Sequence, residues 1–329
     1  MTRKIDLSVV APCFDEEECL PEFHRRMTLA CRACSVATYE IIYVNDGSND
    51  TTLDKMQHLQ QQDNCVKIID LARNYGHQIA LSAGLAHTRG TRVLTIDVDL
   101  QDPPELLTVM MRKMEEGVDV VYAQRNLRKG ESTFKLATAS LFYRLLGYIG
   151  GTQIPADTGD FRLMRRNVVD VLIRMPEAHR FVRGLVAWIG FVQVPITYDR
   201  DARFAGRSKY PFLKMLAFSV DAITAFATAP LRMMFLVAML GLGLAMLTFG
   251  WTLYSYFFLN TVRGWSSLMT VFLFFTSMQL FALAVIGEYV GRIFIESKRR
   301  PMYVIRATYP AEEQYDSAKD GYEPLRAPL

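Results

Sequence analysis

The chain has 329 residues, of which 50% are hydrophobic and 22% are charged, and its formal net charge is +3. This length is enough for one large domain or two smaller ones. A net charge this small gives no support for a nucleic-acid partner, and none is expected.

The first 125 residues alternate short apolar runs with helical patterns. Strands are predicted at 7–11, 39–44, 66–71, 92–96 and 118–122, and helices near 16–34, 51–62, 77–88 and 103–116. Strands that alternate with helices indicate right-handed crossovers and a parallel sheet covered on both faces. The predicted fold class is therefore α/β, with ligands bound at the carboxyl ends of the strands.

All five cysteines lie in this part of the chain. Cys31 and Cys34 form a C-x-x-C, which is one possible mark of zinc or redox chemistry, but no second C-x-x-C or histidine pair accompanies it. Because the two residues are three apart on a predicted helix, packing is the simpler interpretation. A reducing compartment also argues against disulfides.

Two later segments are predicted to be helices at a membrane surface. Residues 132–151 read as an amphipathic helix, and residues 211–230 are nearly as apolar but include Lys214 and Asp221. Either segment could instead be a core helix. Beside membrane spans, an interfacial position is at least as well supported.

Two uncharged stretches predict a transmembrane hairpin. Residues 233–262 and 264–287 contain no Asp, Glu, Lys or Arg, and each exceeds the roughly 20 residues that cross a bilayer. We predict spans at 231–259 and 264–288. Lys and Arg flank the outer ends, so the large domain, residues 1–210, and the tail, residues 289–329, are expected to be cytoplasmic. The polar segment 306–329 is expected to be disordered.

Acidic motifs follow three of the predicted strands. They are Pro12-Cys13-Phe14-Asp15-Glu16, Asn45-Asp46-Gly47-Ser48 and Asp97-Val98-Asp99-Leu100-Gln101. Each alone could be a helix cap, a turn or a solvated strand end. Carboxylates at positions i and i+2 of a strand share a face and repel each other unless a cation or a hydrogen-bonding ligand lies between them. Three motifs at one sheet edge indicate one shared site.

The ligand expected at this edge is a sugar nucleotide. No G-x-G-x-x-G or G-x-x-x-x-G-K-[ST] motif is present, so the usual glycine loops for phosphate are missing. Carboxylates instead bind Mg²⁺ or Mn²⁺, which in turn binds a diphosphate. A lone carboxylate such as Asp46 can accept the N–H of a nucleobase.

Several blocks of the sequence resemble family 2 glycosyltransferases, in family order, from about residue 5 to residue 303. These blocks are "APCFDEEECLPEF", "YVNDGSND", "LARNYGHQIALSAGL" and "TIDVDLQDPPE". "RKGES", "ASLFYRLL", "DTGDFRLM", "HRFVRGLVAW" and "RDARFAGRSKYP" resemble the polyisoprenyl-phosphate glycosyltransferases, and among them the bactoprenol glucosyltransferases. Two departures are Asp15, where Asn is common, and Asn45, where a second Asp is frequent.

The resemblance implies a Rossmann-like GT-A fold and assigns roles to particular residues. Nucleoside binding falls to Pro12, Phe14, Glu16 and Asp46. Metal and diphosphate binding falls to Asp97, Asp99 and Gln101, and the catalytic residues are Asp99 and Asp157. Acceptor-phosphate binding falls to Arg125, Arg128, Arg203, Ser208 and Lys209, whose alternative is ordinary basic charge at a membrane surface.

The implied reaction is an inverting, metal-dependent transfer of glucose from UDP-glucose to undecaprenyl phosphate, by an enzyme expected to form tetramers in the inner membrane. Mannose, GlcNAc or aminoarabinose remain alternative sugars. A processive polysaccharide synthase is disfavoured because the chain lacks Q-x-x-R-W, although Arg183 and Trp188 are present. A flippase or a membrane-anchored binding module is the alternative from a different class.

Overall fold

The computed structural model describes residues 5–34, 36–125, 158–177, 180–199 and 264–310, together with isolated helical positions between 239 and 258. The predicted helices at 132–151 and 211–230 lie outside the described residues. The chain divides into two compact units: residues 264–300 belong to one, and the described residues up to 199 and from 301 onwards belong to the other.

An eight-stranded mixed sheet forms the larger unit. Its strands are β1 (Ile5–Cys13), β2 (Tyr39–Asn45), β3 (Val66–Leu71), β4 (Gly90–Thr95), β5 (Val120–Arg125), β6 (Thr158–Arg165), β7 (Gln193–Tyr198) and β8 (Ile305–Tyr309). Their order across the sheet is β7-β5-β6-β4-β1-β2-β3-β8. All five predicted strands are therefore present, and β6, β7 and β8 are additional.

The central strands are parallel, as predicted, but two other strands, β6 and β8, run antiparallel to them. Strands β4, β1, β2 and β3 run parallel. β6 lies antiparallel between β4 and β5, and β8 lies antiparallel on β3. The five predicted strands all run in the same direction, because β6 is antiparallel to both β4 and β5. The sheet is mixed because the two unpredicted strands β6 and β8 join it from distant parts of the chain rather than through a single crossover helix.

Helices cover the sheet: α1 (Leu20–Ala33), α2 (Thr52–Gln62), α3 (His77–Ala86), α4 (Leu107–Glu115), α5 (Arg166–Arg174) and α6 (Val182–Ile189). The first four match the predicted helices to within a few residues, and a 3₁₀ turn precedes α4. Helix α3 lies very close to the sheet, since a Cβ on Gly84 would lie only 2.3 Å from Val10 Cγ1. This glycine permits the close approach of helix and strand.

The C-x-x-C cysteines pack rather than react. Cys31 is fully buried in the hydrophobic core beside Phe23 and Met27, and burial raises the pKa of its thiol. Cys34 Sγ lies 3.4 Å from Thr108 Oγ1. All five cysteines are free thiols, and the burial of Cys31 in the core supports the packing interpretation for that residue.

The second unit contains a long apolar helix, α7 (Trp265–Ser297). Its segment Phe274–Ser297 is long and apolar enough to cross a membrane, with a mean hydropathy of 1.5. The helix continues nine residues beyond the predicted end of the second span at residue 288. Of the first predicted span, only isolated positions are described; one of them, Gly241, lies against Met278 and Phe275. A second crossing remains a prediction.

The segment after α7 returns to the sheet. Residues 305–309 form β8, and Ile68 pairs with Tyr309 and Asp70 with Ala307. The expectation of disorder from residue 306 onwards was therefore wrong for residues 306–309. Polar composition suggested a loose tail, but backbone pairing to an open strand edge requires no apolar periodicity.

Candidate active site

The loops that follow β1, β2 and β4 begin at the same edge of the sheet. Cys13 is the register partner of Asn45, and Val10 is the partner of Thr95. The backbone N–H of Asp46 donates to the carbonyl of Cys13 at 2.9 Å. The three acidic motifs thus share one edge, as the strand order predicted.

The first two loops are tied together by hydrogen bonds. Asp15 has a positive φ of 52°; its N–H donates to Ser48 Oγ at 3.1 Å, and its Oδ1 accepts the N–H of Asn49 at 2.8 Å. The N–H of Glu16 donates to Thr52 Oγ1 at 2.9 Å. These bonds fix the backbone that carries the predicted nucleoside residues Phe14 and Glu16.

Asp46 connects the second loop to the segment after β3. Its carboxylate accepts the N–H groups of Tyr75 at 2.7 Å and Gly76 at 2.9 Å. Burial raises the pKa of Asp46, and these two hydrogen bonds oppose the rise. Each carboxylate oxygen has a second lone pair, so Asp46 retains capacity to accept an N–H from a ligand.

A glycine allows the two segments to meet. Gly47 has a φ of +67°, and a Cβ there would lie 2.6 Å from the backbone of Arg73 and Asn74. Any side chain at this position would push the segment after β3 away from Asp46. The sharp Asn45-Asp46-Gly47 turn is therefore part of the site's architecture.

The D-x-D motif lies just beyond its strand. β4 ends at Thr95, so Asp97 and Asp99 follow the strand, as predicted, and the strand rule that residues i and i+2 share a face does not by itself apply to them. The alternation nevertheless continues through the turn, because Ile96, Val98 and Leu100 are buried in the core while both aspartates are partly exposed. Gln101 is 8% exposed, and its N–H donates to Asp99 Oδ1 at 3.1 Å.

A histidine lies between Asp97 and a buried aspartate of β6. His77 Nε2 is 3.5 Å from Asp97 Oδ1 and 3.3 Å from Asp160 Oδ2. Burial alone would lower the pKa of His77, but the two carboxylates raise it to about 9. Burial raises the pKa of Asp97 to about 6, with neighbouring carboxylates adding to the rise and His77 opposing it. Protonated His77 is therefore a cation of the protein itself that partly offsets the negative charge of the acidic motif.

Asp160 is held by further donors. Its Oδ2 accepts Gln78 Nε2 at 2.8 Å and lies 3.5 Å from an Arg183 guanidinium nitrogen. Although burial would raise the pKa of Asp160, Arg183 and His77 hold it well below its usual range. Asp160 Oδ1 is buried without a hydrogen-bond partner among the described residues. An ionised, half-satisfied carboxylate therefore lies next to the D-x-D motif.

Residues 8–173 match the model of glycosyl transferase family 2. The chain belongs to this family. It is 38% identical over 301 residues to the bactoprenol glucosyl transferase of Shigella phage SfV, covering 91% of this chain and 98% of the phage protein. It is 45% identical over 315 residues to the uncharacterized glycosyltransferase YkcC of Bacillus subtilis, covering 95% and 97%. The chain is thus a family 2 glycosyltransferase of the bactoprenol glucosyl transferase type.

The solved structures that resemble this chain are more distant in sequence. The glucosyl-3-phosphoglycerate synthase of Mycobacterium tuberculosis, in complex with UDP, is 17% identical and aligns with 68% of this chain and 79% of its own, with a TM-score of 0.48.

The metal residues expected of this family 2 member fit a divalent cation in chemical type. Asp97, Asp99 and Gln101 offer only oxygen ligands, which Mg²⁺ and Mn²⁺ prefer. Within the described ranges no three His, Cys, Asp or Glu side chains are grouped closely enough to hold a metal ion. The set is thus two carboxylates and an amide, so substrate oxygens and water would have to complete the coordination. The unpartnered Asp160 Oδ1 is a further oxygen beside this set.

The structure describes only one of the other predicted site residues of the glycosyltransferase. Arg125 ends β5, and Asp157 directly precedes β6 and lies outside the described residues. Arg128, Arg203, Ser208 and Lys209 also lie outside them. Their assigned roles remain predictions.

Sequence reasoning missed the buried polar network behind the motif, namely His77, Gln78, Asp160, Arg162 and Arg183. Two quoted blocks, "LARNYGHQIALSAGL" and "DTGDFRLM", contain four of these residues. The available signal in the sequence was the pair of charged residues Asp160 and Arg162 in the second block. The structure buries both of them inside β6, where they are 5% and 3% exposed.

Proposed function

We propose that this glycosyltransferase transfers glucose from UDP-glucose to a polyisoprenyl phosphate, undecaprenyl phosphate, at the cytoplasmic face of a membrane. The observation that carries the proposal is the extent of its similarity to the phage bactoprenol glucosyl transferase. The aligned 301 residues exceed the 166 residues of the family 2 match. Similarity therefore extends beyond the nucleotide-binding half into the segments proposed to meet the lipid.

The donor would lie along the carboxyl edge of the sheet. Asp46 has spare acceptor capacity for a nucleobase N–H, and Pro12, Phe14 and Glu16 flank it on the tied β1 loop. Asp97, Asp99 and Gln101 would hold Mg²⁺ or Mn²⁺ beside the donor diphosphate. A cation bound there supplies positive charge that stabilises the leaving diphosphate.

The acceptor requires little activation. A phosphate monoester has a second pKa of about 6 and is largely ionised near neutral pH, so it is already a nucleophile. Positioning and charge neutralisation then account for most of the catalysis. A single displacement by the phosphate oxygen inverts the anomeric centre. Asp157, next to β6, is proposed to orient the sugar or the acceptor.

The acceptor phosphate is proposed to meet a basic set near the membrane, Arg125, Arg128, Arg203, Ser208 and Lys209. The apolar segment Phe274–Ser297 would anchor the chain in the bilayer. Arg offers a planar fork and Lys a point charge, so the two are not interchangeable at a phosphate.

A donor screen tests the proposal. Purified full-length protein is incubated with undecaprenyl phosphate, a divalent cation and radiolabelled UDP-glucose, and lipid-extractable label is counted. UDP-GlcNAc, GDP-mannose and an aminoarabinose nucleotide test the alternative sugars. We expect label from UDP-glucose alone. Transfer from another donor would replace the sugar, and no transfer from any donor would overturn the enzyme assignment to lipid glycosylation.

The acceptor set is tested with a matched pair of lysines. Lys209→Ala should raise the apparent KM for undecaprenyl phosphate without changing nucleotide binding, whereas Lys214→Ala should change neither. Measurements in neutral detergent remove general attraction to anionic lipid. Equal losses in the two variants would contradict a specific phosphate contact.

A further inference from the structure

A second cleft lies at the opposite edge of the sheet from the acidic loops. Its volume is about 380 Å³, and it is lined by Thr91, Arg92, Asp119, Arg165, Arg166 and Asn167. These residues lie near the start of β4, before β5 and at the end of antiparallel β6, so all belong to the amino edge. Among the described residues, none that is assigned to donor or acceptor binding lines this cleft.

Two of its arginines face each other across neighbouring strands. Arg92 of β4 is the register partner of Arg165 of β6 in an antiparallel pair. Side chains of directly opposite residues lie on one face about 5 Å apart at Cβ, and like charges there are destabilising. The sequence therefore places a repulsive pair where a neutral residue would stabilise the sheet.

The protein itself neutralises this pair only in part. Arg165 donates Nε to the carbonyl of Val118 at 2.8 Å and Nη2 to the carbonyl of Met114 at 2.9 Å. Neither acceptor carries a full charge. The side chain of Arg92 makes no hydrogen bond or ion pair with any described residue, although Arg92 is partly buried. All five of its N–H donors are therefore available to a ligand.

Arg166 adds a third positive charge. Its Nε donates to Asp170 at 2.8 Å and its Nη1 to the carbonyl and hydroxyl of Thr88, which leaves Nη2 without a partner in the described structure. It is also the first residue of α5, whose amino terminus has no side-chain cap. The positive end of the helix adds to the same field.

Asp119, which is the one carboxylate among the described lining residues, is already engaged. Asp119 Oδ2 accepts the N–H of Val192 at 3.3 Å, and its Oδ1 lies 3.9 Å from Arg165 Nε. Three arginines and one aspartate give the lining a net charge of +2. Arginine guanidinium groups bind phosphate oxygens through paired N–H donors.

We propose that this cleft is a phosphate-binding site, separate from the active site, in which Arg92 is the principal ligand. The phosphate belongs either to a small soluble molecule or to a lipid headgroup. In both cases it bridges Arg92 and Arg165 and removes their mutual repulsion.

Thermal unfolding of the full-length protein in neutral detergent tests the site. Inorganic phosphate is titrated at constant ionic strength set by sodium chloride, so that general screening does not contribute. In parallel, micelles are doped with phosphatidylglycerol or, as a control, with phosphatidylcholine. Arg92→Gln is compared with Arg112→Gln, which removes an exposed arginine of α4 outside the cleft.

The expected result has two parts of opposite sign. Without phosphate, Arg92→Gln should unfold at the same or a higher temperature than wild type, because a like charge is gone. With phosphate or phosphatidylglycerol, wild type and Arg112→Gln should be stabilised, and Arg92→Gln should bind about tenfold more weakly, as expected for loss of charge-assisted hydrogen bonds.

The probe that stabilises the protein shows whether the phosphate belongs to a small molecule or to a lipid headgroup. Stabilisation by inorganic phosphate identifies a small-molecule site, and stabilisation by phosphatidylglycerol alone identifies a headgroup site. Equal stabilisation of wild type and Arg92→Gln, or of neither, would overturn the proposal. Glucosyl transfer by Arg92→Gln should match wild type, so failure here is distinct from failure of the proposed reaction.

Discussion

The two ends of the central sheet hold carboxylates whose pKa values are shifted in opposite directions. At the amino end, Glu40 is 2% exposed; it accepts Ser8 Oγ at 2.6 Å and the N–H of Arg89 at 2.9 Å, and lies 3.3 Å from Lys67 Nζ. Burial alone would raise the pKa of Glu40, but these partners lower it. At the carboxyl end, the pKa of Asp97 is raised to about 6.

The difference separates a carboxylate that serves stability from one that serves a ligand. Hydrogen bonds and cations of the folded protein offset the cost of burying Glu40, so its charge is favourable in the native state. In the part of the chain that the structure describes, Asp97 has only His77 as a close cation, and it has several acidic neighbours. Strongly perturbed groups of this second kind are typical of functional sites.

The largest expected effect is on transfer. Asp99→Asn should reduce glucosyl transfer at least about a hundredfold, because a bound cation contributes several kcal/mol and about 1.4 kcal/mol corresponds to tenfold. Metal-dependent binding of UDP should weaken in parallel, while the unfolding temperature stays unchanged. Lipid-extractable label and calorimetric titration of UDP measure these effects. Wild-type transfer by this variant would remove Asp99 from the metal site.

Glu40→Gln should show the reverse pattern. Loss of the charge beside Lys67 and Arg89 should lower the free energy of unfolding by about 1–3 kcal/mol, because the amide cannot replace a charged acceptor. Denaturant unfolding measures this loss. Transfer per folded molecule should not change, and a tenfold loss of transfer with full stability would place Glu40 in the site instead.

The pH dependence of stability should have opposite signs at the two ends. Glu40 has a native pKa below its ordinary 4.5, so its contribution is complete above that pH and is lost as the pH falls further. Glu40→Gln should therefore flatten the acid limb of a plot of unfolding temperature against pH. An unchanged acid limb would show that Glu40 is not the group that titrates.

Asp97→Asn should have the smallest effect on stability, and its sign should be opposite to that of Glu40→Gln. The native pKa of Asp97 is about 6, against an ordinary 3.8; its contribution is complete below about pH 4 and is lost as the pH rises through 6. At pH 7 without metal, Asp97→Asn should therefore unfold at a slightly higher temperature than wild type. A lower unfolding temperature would mean that His77 already compensates Asp97 fully.

The sequence predicts one half of the fold much better than the other. Strands β1 to β5 are short apolar runs between helical patterns, so local periodicity locates them. β6 contains the buried charges Asp160 and Arg162, β7 contains Pro195, and β8 lies in a polar stretch. Each of these strands is specified by a long-range partner rather than by its own pattern.

The candidate site divides in the same way. Asp46, Asp97 and Asp99 could be located because they follow strands whose carboxyl ends share an edge. His77 could not, since a single histidine at a helix start carries no pattern. Its role comes from Asp160, 83 residues later in the chain, and only the insertion of β6 beside β4 brings the two together.

Strand β8 also sets an order of assembly during synthesis. β3 ends at Leu71 and β8 begins at Ile305. At a synthesis rate of roughly 5–20 residues per second, the outer edge of β3 therefore has no partner strand for roughly 10–50 seconds. During that interval it presents an open strand edge, a template for unwanted pairing. The apolar helix α7 must leave the ribosome first. A chain that stops after α7 would keep every residue of the acidic edge and still carry this open edge permanently.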